Sequence, residues 1–249
     1  MFGLDDWIAQ FSDGATLLII VGVAILLGLR HATDPDHLAA VTTLIAAGKE
    51  RTKRAAARLG FVWGLGHATT LFAFGLPIVL FKAYLPERVQ QGAEASVGLV
   101  IIALAAWLLV RWRRGLFHVH VHEHGSGPHA HGHSHGSRAA HAHRHELRAR
   151  SPLQAYGIGL VHGMGGSAGV GILLLATIHD HVIAVVALAL FAVFTAVSMA
   201  LLSTGFGLTL SSAPVRRSFN RLAPALGVAS LVFGVWYALG ALEVTPYYL

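Results

Sequence analysis

The sequence predicts an all-α protein, a polytopic helix bundle built into a membrane. Of its 249 residues, 55% are hydrophobic and only 12% are charged, and the mean hydropathy is +0.62. This composition is far more apolar than that of an ordinary soluble domain. The apolar residues fall in runs of roughly 17 to 25, the length that a helix needs to cross a hydrocarbon core about 30 Å thick. These runs lack the alternation of membrane strands, so the pattern indicates helices.

Six apolar runs define the expected transmembrane helices. They cover residues 14–48, 59–82, 95–110, 153–178, 182–208 and 223–242. The first run is too long for one straight crossing; if it crosses twice, the protein has seven spans and a cytoplasmic N-terminus. The chain therefore divides into an N-terminal transmembrane half (1–117), a histidine-rich loop (118–150) and a C-terminal transmembrane half (151–249).

The basic residues predict how these helices are oriented. Fifteen of the 18 Lys and Arg residues lie in the linkers after the first, third and fifth runs. By the positive-inside rule these linkers are cytoplasmic, so both termini lie outside the plasma (inner) membrane and the histidine-rich loop lies inside. The sequence pI of about 10.2 follows from this topology and does not indicate a nucleic-acid partner. No Lys or Arg precedes the first run, so we expect that run to be retained rather than cleaved as a signal peptide.

The composition also excludes several kinds of chemistry. The chain contains no cysteine, which rules out disulfides, thiolate metal sites and a cysteine nucleophile. Any bound metal must therefore be held by nitrogen and oxygen atoms. No Gly-x4-Gly-Lys-Ser/Thr motif occurs, so the chain does not itself supply ATP hydrolysis.

Two imidazoles and two carboxylates lie close together inside the first apolar run. They are His31, Asp34, Asp36 and His37. Ionisable residues are costly within a membrane and usually mark functional sites. Asp34 followed by Pro35 also reads as a helix cap and a first helical residue, so we expect the helix to break near Thr33 and to restart at Pro35. Transporters commonly build ion sites at such breaks; the alternative interpretation is a solvated juxtamembrane loop.

Two further histidines lie in apolar runs. His67 follows Gly66 in the second run, and His162 precedes the glycine-rich stretch 163–169 in the fourth. Small residues allow helices to approach closely, and a polar residue there can hydrogen-bond to a neighbouring helix. An intramembrane histidine can equally be a metal ligand. We include both histidines in the candidate metal site.

A short internal repeat relates the two halves of the chain. The sequence Gly-Leu-Arg-His at 28–31 reappears as Gly-Leu-Val-His at 159–162. Three spans in each half would give the halves opposite orientations, which is the inverted repeat of many secondary transporters. The sequence therefore predicts a 3+3 inverted repeat with a broken first helix, and the alternative is a chance match of four residues.

At these positions the sequence resembles a known family. The stretch from Gly28 to Ala39 resembles the His-x4-Asp-His signature of the nickel/cobalt transporter family (NiCoT), and the stretch from Gly64 to Thr69 resembles that family's Gly-His-Ser/Thr motif. The resemblance implies that Ni²⁺ or Co²⁺ is the transported substrate, with no permanent cofactor. It also implies that the metal is bound by His31, Asp36, His37 and His67. Independently, a site of imidazole and carboxylate suits Ni, Co or Zn better than Cu(I).

The second half of the chain departs from the uptake members of that family. Val161-His162-Gly163 stands where those members carry an acidic Phe-Asp-Thr motif. The shorter six-span layout with a histidine-rich middle loop is similar to that of the related bacterial nickel/cobalt exporters. We favour uptake, and the alternative is an efflux protein whose loop collects cytoplasmic metal.

The loop between the two halves contains eleven of the seventeen histidines. They are His118, His120, His122, His124, His129, His131, His133, His135, His141, His143 and His145. Glycine, serine and alternating histidine cannot bury a core, so we expect this loop to be disordered. Neutral imidazoles at this density chelate divalent metals with little selectivity. The sequence therefore predicts an accessory metal-binding loop, the alternative being a solvated linker.

Two other classes of function compete with transport. Histidine clusters also hold di-iron centres in membrane metalloenzymes, but the few intramembrane histidines favour a single metal and therefore a protein that is not an enzyme. A metal sensor in which only the loop functions would leave the intramembrane aspartates Asp34 and Asp36 unexplained. The expected partners are the lipid bilayer and divalent metal ions, and the sequence identifies no protein partner.

Overall fold

A computed structural model describes residues 4–47, 53–82, 86–115, 118–123, 128–133, 151–165 and 168–246. Its eight helices within these ranges are α1 Leu4–His31, α2 Pro35–Ala47, α3 Lys53–Phe81, α4 Glu87–Arg113, α5 Pro152–His162, α6 Gly169–Ala176, α7 His181–Ser211 and α8 Ala213–Ala241. The strands β1 His118–Glu123 and β2 Pro128–His133 lie between α4 and α5.

Four of these helices are individually long and apolar enough to cross a membrane. They are α3, α4, α7 and α8, and the pair α1 and α2 makes a fifth span if it is counted as one bent crossing. The predicted count of six spans is therefore not reached in the described ranges. The reason lies in the fourth predicted span, 153–178, which is divided into α5 of 11 residues and α6 of 8 residues. At 1.5 Å per residue neither piece can cross a bilayer alone.

The break in the first span lies where the sequence predicts it. Helix α1 ends at His31, α2 begins at Pro35, and the two are bent by 49°. A tight turn joins them, in which the amide of Thr33 donates to the carbonyl of Arg30 at 2.8 Å. Proline fits the first position of α2 because its missing N–H would have no partner there. This local chemistry places the polar residues 31–37 at the junction of two half-helices.

Helix α5 repeats this arrangement in the second half of the chain. A capping box fixes its start, because the Ser151 hydroxyl accepts from the Gln154 amide and the Gln154 side chain accepts from the Ser151 amide. The helix ends at His162, and a turn follows in which the Gly165 amide donates to the His162 carbonyl at 3.2 Å. Each half of the chain therefore begins with a divided helix and continues with two long ones.

Two short segments of the histidine-rich loop are paired as a hairpin. Strands β1 and β2 are antiparallel, with His118 opposite His133, His120 opposite His131, and His122 opposite His129. Valine alternates with histidine in β1, and β-branched residues favour the extended backbone. The elements that pack into the bundle are all helices, as the sequence predicts. The remaining loop histidines His124, His135, His141, His143 and His145 lie outside the described residues.

Glycines bring the helices into backbone contact around the centre of the bundle. Helix α3 packs along α7, α4 packs along α8, and α5 packs along α3. A Cβ atom at Gly64 would lie 2.9 Å from the Ala196 carbonyl oxygen, and one at Gly159 would overlap the carbonyl oxygen of Trp63. Only a residue without a side chain fits such contacts, which are typical of helices packed in membranes.

The outer faces of the helices are apolar. Large side chains such as Leu18, Val170, Val182 and Leu201 are 64–77% exposed. Apolar surface of this extent is suited to lipid. The polar residues of the candidate site, in contrast, are buried.

We predict that Gly159→Ala destabilises the protein and that Gly157→Ala, two residues earlier on α5, does not. The added Cβ at Gly159 would overlap the backbone of α3, whereas nothing lies within 4 Å of a Cβ at Gly157. Overpacking of this kind costs about 1–3 kcal/mol. Thermal unfolding of the detergent-solubilised variants measures the difference, and equal melting temperatures would contradict the close contact of α5 with α3.

Candidate metal site

The two broken helices bring the six candidate ligands together. His31 ends α1, Asp36 and His37 lie in the first turn of α2, His67 lies in the middle of α3, and His162 ends α5. All five are at most 3% exposed. Asp34 lies in the turn between α1 and α2 and is buried beside them, with 9% exposure. The structure thus assembles every intramembrane residue that the sequence marks as a candidate ligand.

The four imidazole rings form one compact group. The centroid of His37 lies 4.6 Å from that of His31, 4.8 Å from that of His67 and 4.7 Å from that of His162. His37 is therefore the centre of the cluster, and the other three histidines surround it.

Within this cluster two sets of three residues have the spacing of metal ligands. The first set is His31, His37 and His67, and the second is Asp36, His37 and His162. In each set the ligand atoms lie within 4.8 Å of one another. Two ligand atoms bound to one ion at about 2.1 Å each are at most about 4.2 Å apart. A small inward movement of the side chains is therefore enough for either set to bind an ion.

Each aspartate holds a histidine in a defined orientation. Asp34 Oδ2 lies 3.0 Å from His31 Nδ1, and Asp36 Oδ1 lies 3.0 Å from His37 Nδ1. An ionised carboxylate can only accept, so each Nδ1 donates and each Nε2 keeps its lone pair. Metal-binding histidines in proteins are commonly oriented by a carboxylate in this way.

The other ring nitrogens face one another inside the cluster. His31 Nε2 and His67 Nε2 are hydrogen-bonded at 3.1 Å, close to the separation of about 3.4 Å between two nitrogens on a tetrahedral ion. His37 Nε2, His67 Nδ1 and His162 Nδ1 have no hydrogen-bond partner among the described residues. Buried polar atoms are nearly always satisfied, so nitrogens left in this state indicate a place for a cation.

Asp36 also faces His162. Its second carboxylate oxygen, Oδ2, lies 3.3 Å from His162 Nε2. Asp36 thereby contacts one histidine of each half of the chain. Asp34, in contrast, approaches Arg30 at 3.5 Å as well as His31. Asp36 therefore contacts two histidines of the cluster, whereas Asp34 contacts one histidine and Arg30.

Helix ends supply part of the negative potential at the cluster. Helices α1 and α5 both end at one of its histidines, so their carbonyl ends point towards it. The carbonyl end of a helix carries a partial negative charge that favours a cation. Helix α2 begins in the cluster and has the opposite effect, which the carboxylates of Asp34 and Asp36 offset.

Two aromatic residues that sequence analysis did not single out form walls of the cluster. The Trp63 ring centroid lies 5.6 Å from that of His162, and the Phe191 centroid lies 5.6 Å from that of His31. Each of these two residues is only 1% exposed. Aromatic residues in apolar helices carry no distinguishing pattern, so only the packing of α3 and α7 identifies them.

Comparison with known proteins identifies relatives over most of the chain. A protein of Bacillus sp. named urease accessory protein UreH is 28% identical over 227 residues, covering 90% of this chain and 92% of that protein. The high-affinity nickel transport protein of Cupriavidus necator is 33% identical over 112 residues, 44% of this chain and 31% of that protein. The cobalt transport protein NhlF of Rhodococcus rhodochrous is 31% identical over 87 residues, 35% of this chain and 24% of that protein. No solved structure matches the chain significantly.

A family model extends the similarity across both halves of the bundle. The model of the high-affinity nickel-transport proteins (NicO) matches residues 17–217, which include all six residues of the cluster. This match covers more than half of the chain and agrees with the resemblance seen in residues 28–39. The chain therefore belongs to the NicO family of high-affinity nickel-transport proteins.

Proposed function

We propose that the chain is a secondary-type transporter that carries Ni²⁺ or Co²⁺ into the cell across the plasma membrane. The observation that carries this proposal is the buried cluster of four histidines and two aspartates at two helix breaks. Charged groups are costly at membrane depth and are retained where they bind an ion. The names of the relatives, which refer to nickel and cobalt transport, support these two ions as substrates.

A single ion held around His37 explains the arrangement of ligands. Both ligand sets contain His37, and their other members lie on different sides of it: one set uses His31 and His67, the other Asp36 and His162. Imidazole nitrogen and carboxylate oxygen suit Ni²⁺ and Co²⁺. We infer that the ion is held by His37 with members of either set. Asp34 acts through His31, whose ring it orients.

The divided helices also support an inverted repeat of three spans and three spans. Gly28 of α1 lies against the carbonyl oxygen of Phe191 and the amide nitrogen of Thr195, both on α7. Gly159 of α5 lies against Trp63 and His67 on α3 in the same way. Each divided helix therefore packs on a long helix of the other half through a glycine three residues before its terminal histidine.

Two hydroxyl contacts follow the same relation. Ser198 of α7 donates to the carbonyl of Leu29 at 2.8 Å, and Thr70 of α3 donates to the carbonyl of Leu160 at 2.9 Å. In these contacts Trp63 of α3 corresponds to Phe191 of α7, His67 to Thr195, and Thr70 to Ser198. The two residues of each pair are separated by the same number of positions in the sequence. A constant offset is expected of duplicated units and supports the repeat.

The repeat accounts for the asymmetry of the cluster. His-x4-Asp-His at 31–37 corresponds to His-x4-Ser-Ala at 162–168, and His67 corresponds to Thr195. In this proposal His162 is the one ligand that the second half retains. The first half supplies the rest of the site, and the second half supplies packing surfaces and one ligand.

The orientation in the membrane follows from the positive-inside rule. With the basic linkers in the cytoplasm, both termini lie outside, and the loop 118–150 lies inside, between the end of α4 and the start of α5. No permanent cofactor, ATP or nucleic acid enters this mechanism. In the efflux alternative the same cluster binds the metal ion, but the ion reaches it from the cytoplasm, where the loop collects the metal.

We predict that His31→Ala, Asp36→Ala and His37→Ala each abolish nickel and cobalt transport while the protein still inserts. Each removes a ligand atom from the cluster but none of the apolar length that drives insertion. Uptake of radioactive nickel by cells, normalised to the amount of membrane-inserted protein, measures the effect. His179→Ala is the matched control, because His179 is exposed between α6 and α7. Wild-type transport in all three ligand variants would contradict the assignment of this cluster as the metal site.

Asp34→Asn is expected to weaken transport rather than abolish it. The asparagine carbonyl can still accept from His31 Nδ1, but the charge that makes His31 a stronger ligand is lost. Loss of an orienting partner costs about 10- to 100-fold in metal affinity, and we expect the lower end of that range. An Asp34→Asn variant as inactive as Asp36→Ala would make Asp34 a direct ligand.

Deletion of residues 118–145 is expected to leave transport present but to change its dependence on metal concentration. A tethered group of imidazoles raises the local concentration of metal, yet it cannot form a path through lipid. For an importer the loop lies at the exit, so initial uptake in reconstituted vesicles should be nearly unchanged. For an exporter the loss should be greatest at low cytoplasmic metal. A deletion variant that is folded and inserted but inactive at every concentration would place the loop within the transport path.

The direction of transport is tested by the metal content of whole cells. Cells that contain the protein should accumulate more nickel than cells with the His37→Ala variant if it is an importer, and less if it is an exporter. The variant is the right comparison because it lacks the central histidine while the amount of protein in the membrane stays the same.

A further inference from the structure

A cavity of about 550 Å³ lies beside the metal cluster, between the two halves of the bundle. It is bounded by the second half of α3, the first two turns of α4, helix α6 and the end of α8. Its remaining wall is the turn Gly163, Met164 and Gly165, which directly follows His162. The cavity therefore adjoins the end of α5, where one candidate ligand lies.

One face of α4 turns polar residues into this cavity. Glu87, Gln90, Gln91 and Glu94 all line it, and their spacing of three and four residues places them on one side of the helix. The same side continues towards the centre of the bundle with the fully buried, apolar Val97. Polar residues on the inner side of a membrane helix mark ion or substrate pathways.

Glu94 is the innermost carboxylate of this face. It is 94% buried, and the Gln90 side chain donates to its Oε1 at 3.0 Å. A buried carboxylate is expensive unless it has a cation or several hydrogen bonds to stabilise it. One amide hydrogen bond satisfies it only in part, so the position suits a group that binds a passing cation.

The face of α4 that carries Glu94 also contacts the turn after α5. Val97, one turn further along α4, borders the turn after α5: a Cβ atom at Gly165 would lie 3.0 Å from its Cγ2 and 3.4 Å from the His162 carbonyl oxygen. Gly165 and Val97 thus lie against each other beside the end of α5. In the His162 ring, Nδ1 is buried without a hydrogen-bond partner among the described residues, and Nε2 lies 3.3 Å from Asp36 Oδ2.

The mouth of the cavity is also acidic. Glu243, which follows α8, accepts a hydrogen bond from the Gln91 side chain at 2.9 Å. This bond links the start of α4 to the end of α8. Glu87 lies exposed at the start of α4. With the proposed orientation these ends face the outside of the cell, and no Lys or Arg is among the described residues that line the cavity. Such a mouth attracts a divalent cation.

We propose that this cavity is the extracytoplasmic entrance for the metal ion and that Glu94 binds the ion before His162 and Asp36 receive it. The proposal rests on the function proposed above and adds an entry path and a transient ligand to it. The substrate at Glu94 is a divalent transition-metal ion that still carries part of its hydration shell, for which the cavity has room. Val97 and Gly165 must separate slightly for the ion to move on to the cluster.

Glu94→Gln tests the transient ligand. The variant keeps an oxygen that can accept from Gln90, so the packing of α4 is preserved while the charge is lost. We expect the KM for nickel chloride and for cobalt chloride uptake to rise about tenfold, and Glu94→Asp to restore part of the loss. Asp180→Asn is the matched control: Asp180 is exposed and does not line the cavity, and asparagine can still accept from the Val182 and Ile183 amides at the start of α7. This control should change KM less than about twofold.

The outcomes separate this inference from the proposed function. If Glu94→Gln has the KM of the wild type while His37→Ala is inactive, the entrance is wrong and the transporter assignment stands. If wild type and His37→Ala carry equally little metal, the proposed function fails. If Asp180→Asn raises KM as much as Glu94→Gln does, the effect is one of general surface charge, and the role of Glu94 is also overturned.

Single cysteines test the cavity without relying on transport. The chain has no cysteine of its own, so each introduced thiol is unique. Leu173→Cys lines the cavity, whereas Leu174→Cys is its neighbour on α6 and does not, although both side chains are exposed. A membrane-impermeant thiol reagent added to intact cells should label Cys at 173 several times faster than Cys at 174. Equal labelling at the two positions would mean that the cavity is a lipid-filled crevice. Labelling only after the membrane is permeabilised would mean that the protein has the opposite orientation.

Discussion

The constraint on which the structure depends is the interruption of α1 at Asp34 and Pro35. A backbone break inside a membrane exposes polar groups that lipid cannot satisfy. Here the turn between α1 and α2 satisfies them internally, and the side chains of the turn fold back onto the helix ends. The same break brings His31 and His37 to within 4.6 Å between their ring centroids. Without it these residues would lie along one continuous helix and could not surround a common centre.

A second constraint fixes the distance between the halves. The glycines of α1, α3 and α5 allow backbones to touch where larger residues would hold the helices apart. This close contact carries His67 on α3 and His162 on α5 to the same point as the α1–α2 turn. The rigidity of a transport site therefore comes from residues that have no side chain, while its chemistry comes from residues that are costly in lipid.

The cluster is built from unequal halves, and that inequality suits transport. A resident structural metal is usually held by a closed set of four ligands. Here two overlapping sets share His37, and Asp36 contacts both His37 and His162. In the proposed function, an ion would exchange ligands between the two sets without leaving the cluster, as a carrier requires. The adjoining cavity with Glu94 extends this series of oxygen and nitrogen ligands towards one side of the bundle.

The sequence by itself determined the helical membrane class, the break at residues 31–35 and the six candidate ligands, because these follow from local patterns: apolar length, proline geometry and the high cost of ionisable residues in lipid. The family followed from the resemblance of residues 28–39 to a known signature. Local patterns could not determine the division of 153–178, since glycines permit either a continuous helix or a break. They also did not predict the pairing of β1 with β2, because pairing depends on a second strand. Only the tertiary structure decided that His162 meets Asp36, that Asp34 orients His31, and that Trp63 and Phe191 wall the cluster. Those relations join residues up to 160 positions apart, and such distances are set by helix packing rather than by any motif.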